Sequence, residues 1–172
     1  RLLTDLRAEL RQSYNPAHSV SARETHVHRL QRTQEWLWED YDWPFLEVKR
    51  QFAAVAGQRY YDFSADIPID RVQQIEFKDG GVWRPLSAGI GAEHYEAWDS
   101  QLDQRSFPAR RWRVAEEGIE IWPLLDQAGN ATTFDAYFQV TGTRRLAPLV
   151  ADDDVCDLDD RLIVLFAAAE LA

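Results

Sequence analysis

Trp36-Leu-Trp-Glu-Asp-Tyr-Asp-Trp-Pro-Phe45 is the stretch that decides the fold, because an amphipathic helix ends within it and an extended strand begins. Pro44 has no backbone N–H and disfavours helical dihedral angles at Trp43, so the helix is predicted to end at or before Trp43. Large aromatic rings bury about 150–250 Å² each, which makes such a cluster an anchor for a core or an interface. The stretch holds no nucleophile and no cofactor loop, and it indicates architecture and assembly.

Two helices are predicted ahead of this stretch. Apolar residues at helical spacing indicate a first helix from Leu2 to about Tyr14, which Asn15-Pro16 breaks. Ser21 with Glu24 three residues later forms a capping box, which marks the start of a second helix. One face of this second helix carries Val27, Leu30, Gln34, Leu37 and Tyr41. The pair is predicted to form an αα-hairpin that covers residues 1–43.

After Pro44 the apolar pattern changes from a period of about 3.6 to a period of 2, which predicts strands. The segments Phe45 to Val55 and Arg59 to Phe63 are predicted to pair as a hairpin around Ala56-Gly57-Gln58. A strand from Val72 to Lys78, with Ile75 and Phe77 on one face, is predicted to turn at Asp79-Gly80-Gly81 into Val82-Trp83-Arg84-Pro85-Leu86.

A second hairpin is predicted from Arg110 to Ala115 and Ile119 to Trp122, and a short helix near 91–100. Thr132 to Thr141 alternates in hydrophobicity and is predicted to be a strand. Its inward residues are predicted to be Phe134, Ala136, Phe138 and Val140. These elements assign residues 44–150 to an antiparallel β domain.

The last part of the chain, residues 151–172, is predicted to be an acidic loop followed by an apolar helix from Arg161 to Ala172. This helix is expected to pack with the N-terminal helices. The order of helices, antiparallel sheet and helix is typical of an α+β fold.

Composition excludes several classes of function. A net charge of −10, from 29 acidic and 19 basic residues, makes the chain a poor candidate for gripping a phosphate backbone. One cysteine, Cys156, excludes an internal disulfide. No run approaches the roughly 18–20 apolar residues of a membrane span, and no membrane partner is expected. The chain begins at Arg1 without Met and ends in an apolar helix, so we expect the native protein to be longer.

The acidic loop is the strongest candidate for a metal site. Asp152-Asp153-Asp154 is followed by Asp157, Asp159 and Asp160. Calcium loops need a glycine for the sharp turn and a bidentate Glu at the far end, and both are missing here. We therefore predict a solvated loop in which Asp159 or Asp160 caps the last helix, with no metal and no cofactor bound. A metal-dependent hydrolase built on residues 152–160 is the weakest alternative.

Other reactive residues lack the partners that catalysis needs. His26 and His28 point to different faces of the second helix, and His18 and His94 have no spacing partner, so each is predicted to be a surface or interface histidine. Cys156 has no CxxC context and is predicted to be a buried or inert thiol. No phosphate loop or dinucleotide fingerprint occurs. No catalytic residue is predicted, and the chain is not expected to be an enzyme.

Arg110-Arg111-Trp112-Arg113 is the one basic and aromatic cluster. Such residues can stack on nucleic acid. On a strand, Arg111 and Arg113 share one face, where Glu116, Glu117 or Glu120 could pair with them across the hairpin. In a chain this acidic, we predict ion pairs rather than contacts with phosphates.

The linear order of motifs resembles the head-to-tail adaptor (connector, or neck) proteins of tailed bacteriophages. The resemblance rests on the two N-terminal helices that end at Trp36–Phe45, on Gly57-Gln-Arg-Tyr-Tyr-Asp-Phe63 and Ile67-Pro-Ile-Asp-Arg71, and on the C-terminal part of the chain. That part contains Thr143-Arg-Arg-Leu-Ala-Pro-Leu149, the acidic loop and Ala167-Ala-Ala-Glu-Leu171. The order also resembles that of adaptors such as tail tubular protein A, whose helical bundle carries an inserted β domain.

The resemblance implies a structural virion protein that acts in the neck between head and tail. It implies a homo-oligomeric ring, usually of twelve copies, that docks below the portal protein and contacts tail or nozzle proteins. DNA would pass through its channel without tight binding, and assembly would take place in the host cytoplasm. No catalytic residues are implied.

Wide aromatic surfaces and arginines suit ring interfaces, where Trp, Tyr and Arg concentrate binding energy. The predicted interface residues are Trp36, Trp38, Tyr41, Trp43, Arg111, Trp112 and Arg113. An alternative function is a β-rich carbohydrate-binding module, in which sugar rings would stack on Trp36, Trp38, Trp83, Trp98 or Trp122. Exposed coplanar rings would favour that alternative, whereas rings buried against the second helix or a neighbouring subunit would favour the adaptor.

Overall fold

The computed structural model describes residues 1–12, 20–62, 64–116, 118–149 and 154–171. Within these ranges the chain has an α+β fold with four α-helices and two antiparallel-rich sheets. Several predicted features lie outside the described residues, namely Tyr14, Asn15-Pro16, His18, the Ser21 side chain, Phe63, Glu117, Asp152 and Asp153.

The chain divides into two compact units. The helical unit consists of Arg1–Trp43 and Leu146–Ala172, and the β unit consists of Pro44–Arg145. The β unit is therefore continuous in sequence, whereas the helical unit is assembled from the two ends of the chain.

The helical unit contains α1 (Leu2–Glu9), α2 (Val20–Asp40) and α4 (Asp160–Leu171), and each of these helices packs on the other two. The predicted extent of α1, to about Tyr14, is wrong, because the helix ends at Glu9. Arg11 adopts a left-handed conformation with φ of 54°, which an α-helix cannot continue through.

The core of the helical unit is a set of buried apolar side chains on the facing sides of the helices. The helical residues of this set are Leu6, Leu30, Leu37, Ile163, Val164 and Ala167, and Leu158 joins them from just before α4. Full burial of a leucine or isoleucine contributes about 1.5–3 kcal/mol each, so this set holds the three helices together. At the surface, Arg29 of α2 forms an ion pair with Glu170 of α4 at 2.6 Å.

Over its described residues, the β unit contains eight strands and the short helix α3 (Ala92–Ala97). The strands are β1 (Glu47–Ala53), β2 (Tyr60–Tyr61), β3 (Val72–Asp79), β4 (Val82–Pro85), β5 (Ser87–Ala88), β6 (Arg111–Ala115), β7 (Gly118–Trp122) and β8 (Tyr137–Thr143). One sheet has the order β1-β8-β3-β4 and the other β2-β7-β6-β5. All named strand pairs are antiparallel except β5 with β6.

Side chains from both sheets form one apolar core in the β unit. Its members include Tyr61, Ile75, Phe77, Ile119, Ile121, Phe138 and Val140. The ring of Phe138 lies 5.0 Å from that of Tyr61 and 5.1 Å from that of Phe77, measured between centroids. Tilted aromatic pairs at this spacing add to the stabilisation from burial, so Phe138 is the centre of the core.

Two predicted hairpins are confirmed, and each rests on a local turn with glycine. β3 and β4 pair across Asp79-Gly80-Gly81, and Ile75 and Phe77 are both buried as predicted. β6 and β7 pair across a turn that ends at Gly118, whose φ is 125°. A Cβ at this glycine would lie 2.5 Å from the backbone oxygen of Tyr61, so the position requires glycine.

The predicted hairpin between Phe45–Val55 and Arg59–Phe63 is wrong. A 3₁₀ turn at Pro44–Leu46 precedes β1, which pairs with β8, while β2 pairs with β7 in the other sheet. The intervening segment crosses between the sheets, because the amide of Ala54 donates to Ala136 and that of Gly57 donates to Leu125. These backbone groups are therefore not available to close a hairpin.

The predicted inward position of Phe134 is also wrong. β8 begins only at Tyr137, and Phe134 is 50% exposed. Phe134 and Ala136 have φ values of 55° and 53°, and this left-handed backbone interrupts the alternation of an extended strand. Ala136, Phe138 and Val140 are buried as predicted.

Candidate assembly surfaces

The aromatic stretch Trp36–Phe45 contains the C-terminal end of α2. α2 ends at Asp40, before Trp43, as Pro44 predicts. The indole N–H of Trp43 donates to the carbonyl of Leu37 at 3.0 Å and so satisfies one of the last carbonyls of the helix. Tyr41 is exposed and meets the Trp43 ring edge-on, with centroids 5.9 Å apart.

Trp36 and Trp38 lie one turn earlier on α2. The ring of Trp36 packs on Phe166 of α4 at 5.6 Å with an interplanar angle of 48°, and 44% of its surface remains exposed. Trp38 is half-buried. The Trp36 and Phe166 rings are tilted rather than coplanar, so this pair does not make a flat platform for a sugar ring.

The predicted interface residues on β6 are held by three different contacts. Trp112 packs against the apolar core of the β unit. Arg111 donates from Nη1 to the carbonyl of Gly89 at 3.2 Å. Arg113 lies opposite Glu120 in the β6–β7 register and donates from Nε to its Oε2 at 2.6 Å. The predicted cross-strand ion pair is therefore confirmed for Arg113.

Glu120 is the centre of a larger polar network. Its side chain is fully buried and accepts hydrogen bonds on Oε1 from Arg59 Nε and from the Tyr95 hydroxyl, both at 2.7 Å. The guanidinium groups of Arg59 and Arg113 lie 5.6 Å and 5.7 Å from the centroid of the Tyr95 ring, within the range of cation–π attraction. The sequence did not indicate Arg59 and Tyr95, because each lies far along the chain from Glu120 and no local pattern marks them.

The Glu120 carboxylate stays ionised in this setting. Burial opposes its charge, but the hydrogen bonds from Tyr95, Arg59 and Arg113 outweigh burial and lower its pKa. The same carboxylate raises the pKa of Arg113 through its hydrogen bond. A buried charge of this kind is tolerated only when it is fully paired, so the network fixes β6, β7 and α3 relative to one another.

A second contact holds α3 and the chain that follows it against the sheet. The indole N–H of Trp122 donates to the carbonyl of Trp98 at 3.0 Å, and the His94 ring meets Trp122 edge-on at 5.0 Å. These contacts tie the segment around α3 to β7, although the segment contains little regular structure.

The comparison with known families agrees with this architecture. The model of the SU10 adaptor protein family matches residues 2–172. The chain belongs to the SU10 adaptor protein family. The predicted resemblance to phage head-to-tail adaptors is thereby confirmed. Among curated proteins, none is a significant match to the chain.

In this SU10 adaptor the described part of the acidic loop caps a helix. Asp159 Oδ1 accepts from the amide of Leu162 at 3.0 Å at the start of α4, as predicted. Asp157 Oδ2 accepts from the amide of Ala147 at 2.7 Å. Among the residues that the structure describes, no three His, Cys, Asp or Glu side chains lie close enough together to hold a metal ion.

The prediction of a surface position is wrong for His26, which is 4% exposed in the helical unit of this SU10 adaptor. His26 lies four and eleven residues before Leu30 and Leu37, and these spacings place all three on one face of α2. Its Nδ1 has no hydrogen-bond partner within the described ranges. Burial, together with the charge of Arg7, lowers its pKa.

Cys156 is half-buried, and its thiol donates to the carbonyl of Leu158 at 3.1 Å. Burial and the charge of Asp160 raise its pKa, which makes the thiolate scarce and the residue unreactive. Within the described ranges, no helix of this SU10 adaptor is long and apolar enough to cross a membrane.

Proposed function

We propose that this chain is a structural head-to-tail adaptor, which forms a homo-oligomeric ring below the phage portal and connects it to tail or nozzle proteins. The observation that carries the proposal is the match of the SU10 adaptor family over residues 2–172. In this role the protein resides in the neck of the virion, after assembly in the host cytoplasm, and acts through binding surfaces rather than catalysis.

The exposed aromatic groups of the helical unit support a role in assembly. Trp36 and Tyr41 lie at the end of α2 and are 44% and 51% exposed. Aromatic side chains are enriched in the well-packed centres of protein interfaces. We propose that this end of α2, with Trp38 and Trp43, contacts a neighbouring subunit or the portal protein.

The charge distribution supports passage of DNA without tight binding. The helical unit has two acidic residues for every basic one, and the chain carries a net charge of −10. Nonspecific affinity for DNA requires basic side chains that neutralise phosphates. Arg113 is committed to Glu120, which leaves less positive charge on β6 for DNA. A surface dominated by carboxylates repels a duplex and keeps it from adhering.

The test of the ring is to combine the purified chain with the portal protein encoded by the same phage. We expect light scattering to report a small species for the chain alone and a large complex with the portal. Electron microscopy should then show a ring attached to the portal. Absence of any portal-dependent complex would overturn the proposal.

The test of DNA passage is fluorescence anisotropy with double-stranded DNA across a salt series. We expect only weak nonspecific binding at physiological salt, with dissociation constants no tighter than about 10⁻⁶ M. Submicromolar binding with a steep salt dependence, lost in the Arg111→Ala and Arg113→Ala double variant, would instead make this a protein that grips DNA.

A further inference from the structure

Three arginines lie on one face of the second sheet, beside α3. Arg111 and Arg113 are two residues apart on β6, so they share one face of this strand. Arg59, which precedes β2, reaches the same face, because its Nε donates to Glu120 as that of Arg113 does. We call Arg59, Arg111 and Arg113 the arginine triplet.

The positive charge of the arginine triplet is only partly neutralised. Arg59 and Arg113 share one carboxylate, that of Glu120. Arg111 donates to the backbone carbonyl of Gly89, and it forms no ion pair within the described part of the chain. Three guanidinium groups against one carboxylate leave a surplus of two positive charges. This surplus is unusual in a chain whose net charge is −10.

The triplet is both accessible and held in place. The side chains of Arg59 and Arg113 are 21% and 41% exposed. Arg113 binds Glu120 through Nε, and its two Nη groups have no acceptor among the described residues. The guanidinium of Arg59 lies 5.1 Å from the ring centroid of Tyr60, and that of Arg113 lies 5.7 Å from that of Tyr95. A planar guanidinium that is fixed in this way, with donors to spare, is preorganised to bind a carboxylate.

The end of α2 has the opposite imbalance. The helix closes with Glu39-Asp40, and its last turn contains no basic residue. The dipole of a helix favours cations at its C-terminus and disfavours carboxylates. Asp40 is exposed, and over the described ranges its side chain forms no hydrogen bond or ion pair. Trp36, four residues earlier on the same side, is 44% exposed. A positive charge from outside the chain would therefore stabilise this helix end.

We propose that the arginine triplet of one copy binds the end of α2 of the next copy in the ring. Arg111 and Arg113 would contact the Asp40 carboxylate and supply the cation that the helix terminus lacks. Aromatic rings flank the charges on both surfaces, as is common at the centres of protein interfaces. This inference rests on the proposed ring and identifies what the end of α2 binds there.

The two surfaces differ, so the contact is heterologous: each copy uses its arginine triplet on one side and its α2 end on the other. Heterologous contacts produce closed rings when the rotation between copies permits closure. Two triplets, or two α2 ends, would juxtapose like charges and repel each other. DNA is a poorer occupant of the triplet, because a duplex must be held by many cations and the rest of the chain is acidic.

The direct experiment is an exchange of charges in complexes assembled on the portal protein. Arg111 is the suitable arginine, because its reversal breaks no ion pair in the described part of its own chain. Arg111→Glu alone and Asp40→Arg alone should each raise the protein concentration needed for ring formation about tenfold. The two changes together should recover most of this loss. A double variant that assembles no better than either single variant would overturn the inference.

Arg110→Glu is the matched control. It makes the same change of charge at an exposed neighbouring position, which alternation of the extended chain places on the opposite face. Ring formation should be unchanged in this variant, and the melting temperatures of all variants should match that of the original chain. A loss equal to that of Arg111→Glu would reveal an effect of net charge and would contradict the proposed contact.

Cross-linking gives an independent measurement. Ser87 is exposed and lies beside Arg111 in the β5–β6 register. In a Cys156→Ser background, a Ser87→Cys chain and a mass-tagged Tyr41→Cys chain are assembled together on the portal. A short thiol-reactive reagent should give a mixed dimer from the two chains and no dimer from either chain alone. Equal product from a single chain would show a symmetric contact and rule out the proposed one.

The outcomes separate this contact from the proposed function. If rings form on the portal but both single charge reversals leave assembly unchanged, the contact is wrong and the adaptor function stands. If the original chain forms no ring with the portal, the adaptor function is wrong and the contact is wrong with it.

Two further results would assign the surfaces to other partners and overturn the inference. A loss in Asp40→Arg that Arg111→Glu does not recover would place the end of α2 against the portal. Submicromolar binding of double-stranded DNA that is lost in Arg111→Glu would assign the triplet to phosphates.

Discussion

The β unit and the helical unit differ in how far their buried polar groups are satisfied by hydrogen bonds. In the β unit the buried carboxylate of Glu120 receives hydrogen bonds from Arg59, Tyr95 and Arg113. Among the described residues, three buried polar atoms on α2 of the helical unit have no partner, namely His26 Nδ1, Thr33 Oγ1 and Gln34 Oε1, whereas the β unit has one such atom, Ser100 Oγ. An unsatisfied buried polar group costs about 1–3 kcal/mol.

This difference indicates which part of the molecule should unfold first. The β unit is stabilised by long-range strand pairs and a paired buried charge, and we expect it to open only in global unfolding. The helical unit carries the cost of its unpaired groups, and we expect it to open locally at lower free energy. Amide hydrogen exchange measures the opening free energy of each unit separately. Variants in each unit can therefore test the expected difference in stability.

The largest effect is expected for Glu120→Ala. This change leaves two arginines at a site that has lost its carboxylate, and it should lower the free energy of unfolding of the β unit by about 3–5 kcal/mol. Hydrogen exchange of β6 and β7 amides in urea would measure the loss. Glu116→Gln, at an exposed position nearby, is the matched control and should change stability by no more than about 0.5 kcal/mol. A loss below about 1 kcal/mol for Glu120→Ala would show that the network contributes little.

A smaller effect is expected on acidification, and it should appear first in the helical unit. The pKa of His26 is lowered from 6.5 in the folded chain, so the unfolded chain binds more protons once the pH falls through 6.5. The free energy of unfolding of the helical unit should therefore decrease below pH 6.5. The pKa of Glu120 is lowered from 4.5, so the β unit should keep its contribution above pH 4.5 and lose it only at lower pH.

Two variants test whether His26 causes the pH dependence of the helical unit. His26→Gln should flatten the pH dependence of hydrogen exchange in α2 between about pH 7 and pH 5, because it removes the titrating group. His28→Gln, two residues along the same helix, should leave the dependence in place. If acid loosened the β unit before the helical unit, the proposed order of stability would be reversed.

A still smaller effect is expected at the start of α4. Asp159→Ala removes the side chain that accepts from the amide of Leu162, and it should lower the stability of the helical unit by about 1 kcal/mol. Asp159→Asn should retain most of this stability, since asparagine caps a helix equally well. Thermal unfolding followed by circular dichroism would compare the two. Equal losses would mean that the negative charge, rather than the cap, is what matters.

The smallest effect concerns Phe134. Phe134→Asn should be more stable than Phe134→Ala by about 1 kcal/mol, because asparagine accepts the left-handed backbone whereas alanine keeps the strain. Both variants lose the contact between Phe134 and Tyr137, so that loss cancels in the comparison. Urea denaturation of the pair would give the difference. Identical stabilities would show that the loop at Phe134 is not strained.

The sequence predicted the elements whose signals are local. The β3–β4 and β6–β7 hairpins are joined by short turns with glycine, and α2 stops ahead of Pro44 because of backbone chemistry at one residue. The partner of β1 could not be predicted in the same way. β1 pairs with β8, which lies some 90 residues along the chain in the register Glu47↔Thr143, and no short-range signal specifies that choice.

Only part of the polar network around Glu120 was predicted, because only one of its contacts lies within a local hairpin. Arg113 and Glu120 face each other across a local hairpin, so the hairpin itself places them together. Tyr95 and Arg59 reach Glu120 only through the tertiary fold. Phe134 was misplaced because alternation of apolar residues assumes an extended backbone, and two residues with positive φ break that assumption.

The division of the chain also has a consequence for how it folds as it leaves the ribosome. The β unit is complete once Arg145 has emerged, whereas α1 and α2 are made first and must wait for α4 at the far end. At roughly 5–20 residues per second, synthesis of the intervening hundred or so residues takes about 5–20 s or longer. During that interval the side of Trp36 that later packs on Phe166 is uncovered. The nascent chain is therefore most vulnerable to aggregation, and most dependent on chaperones, in its N-terminal helices.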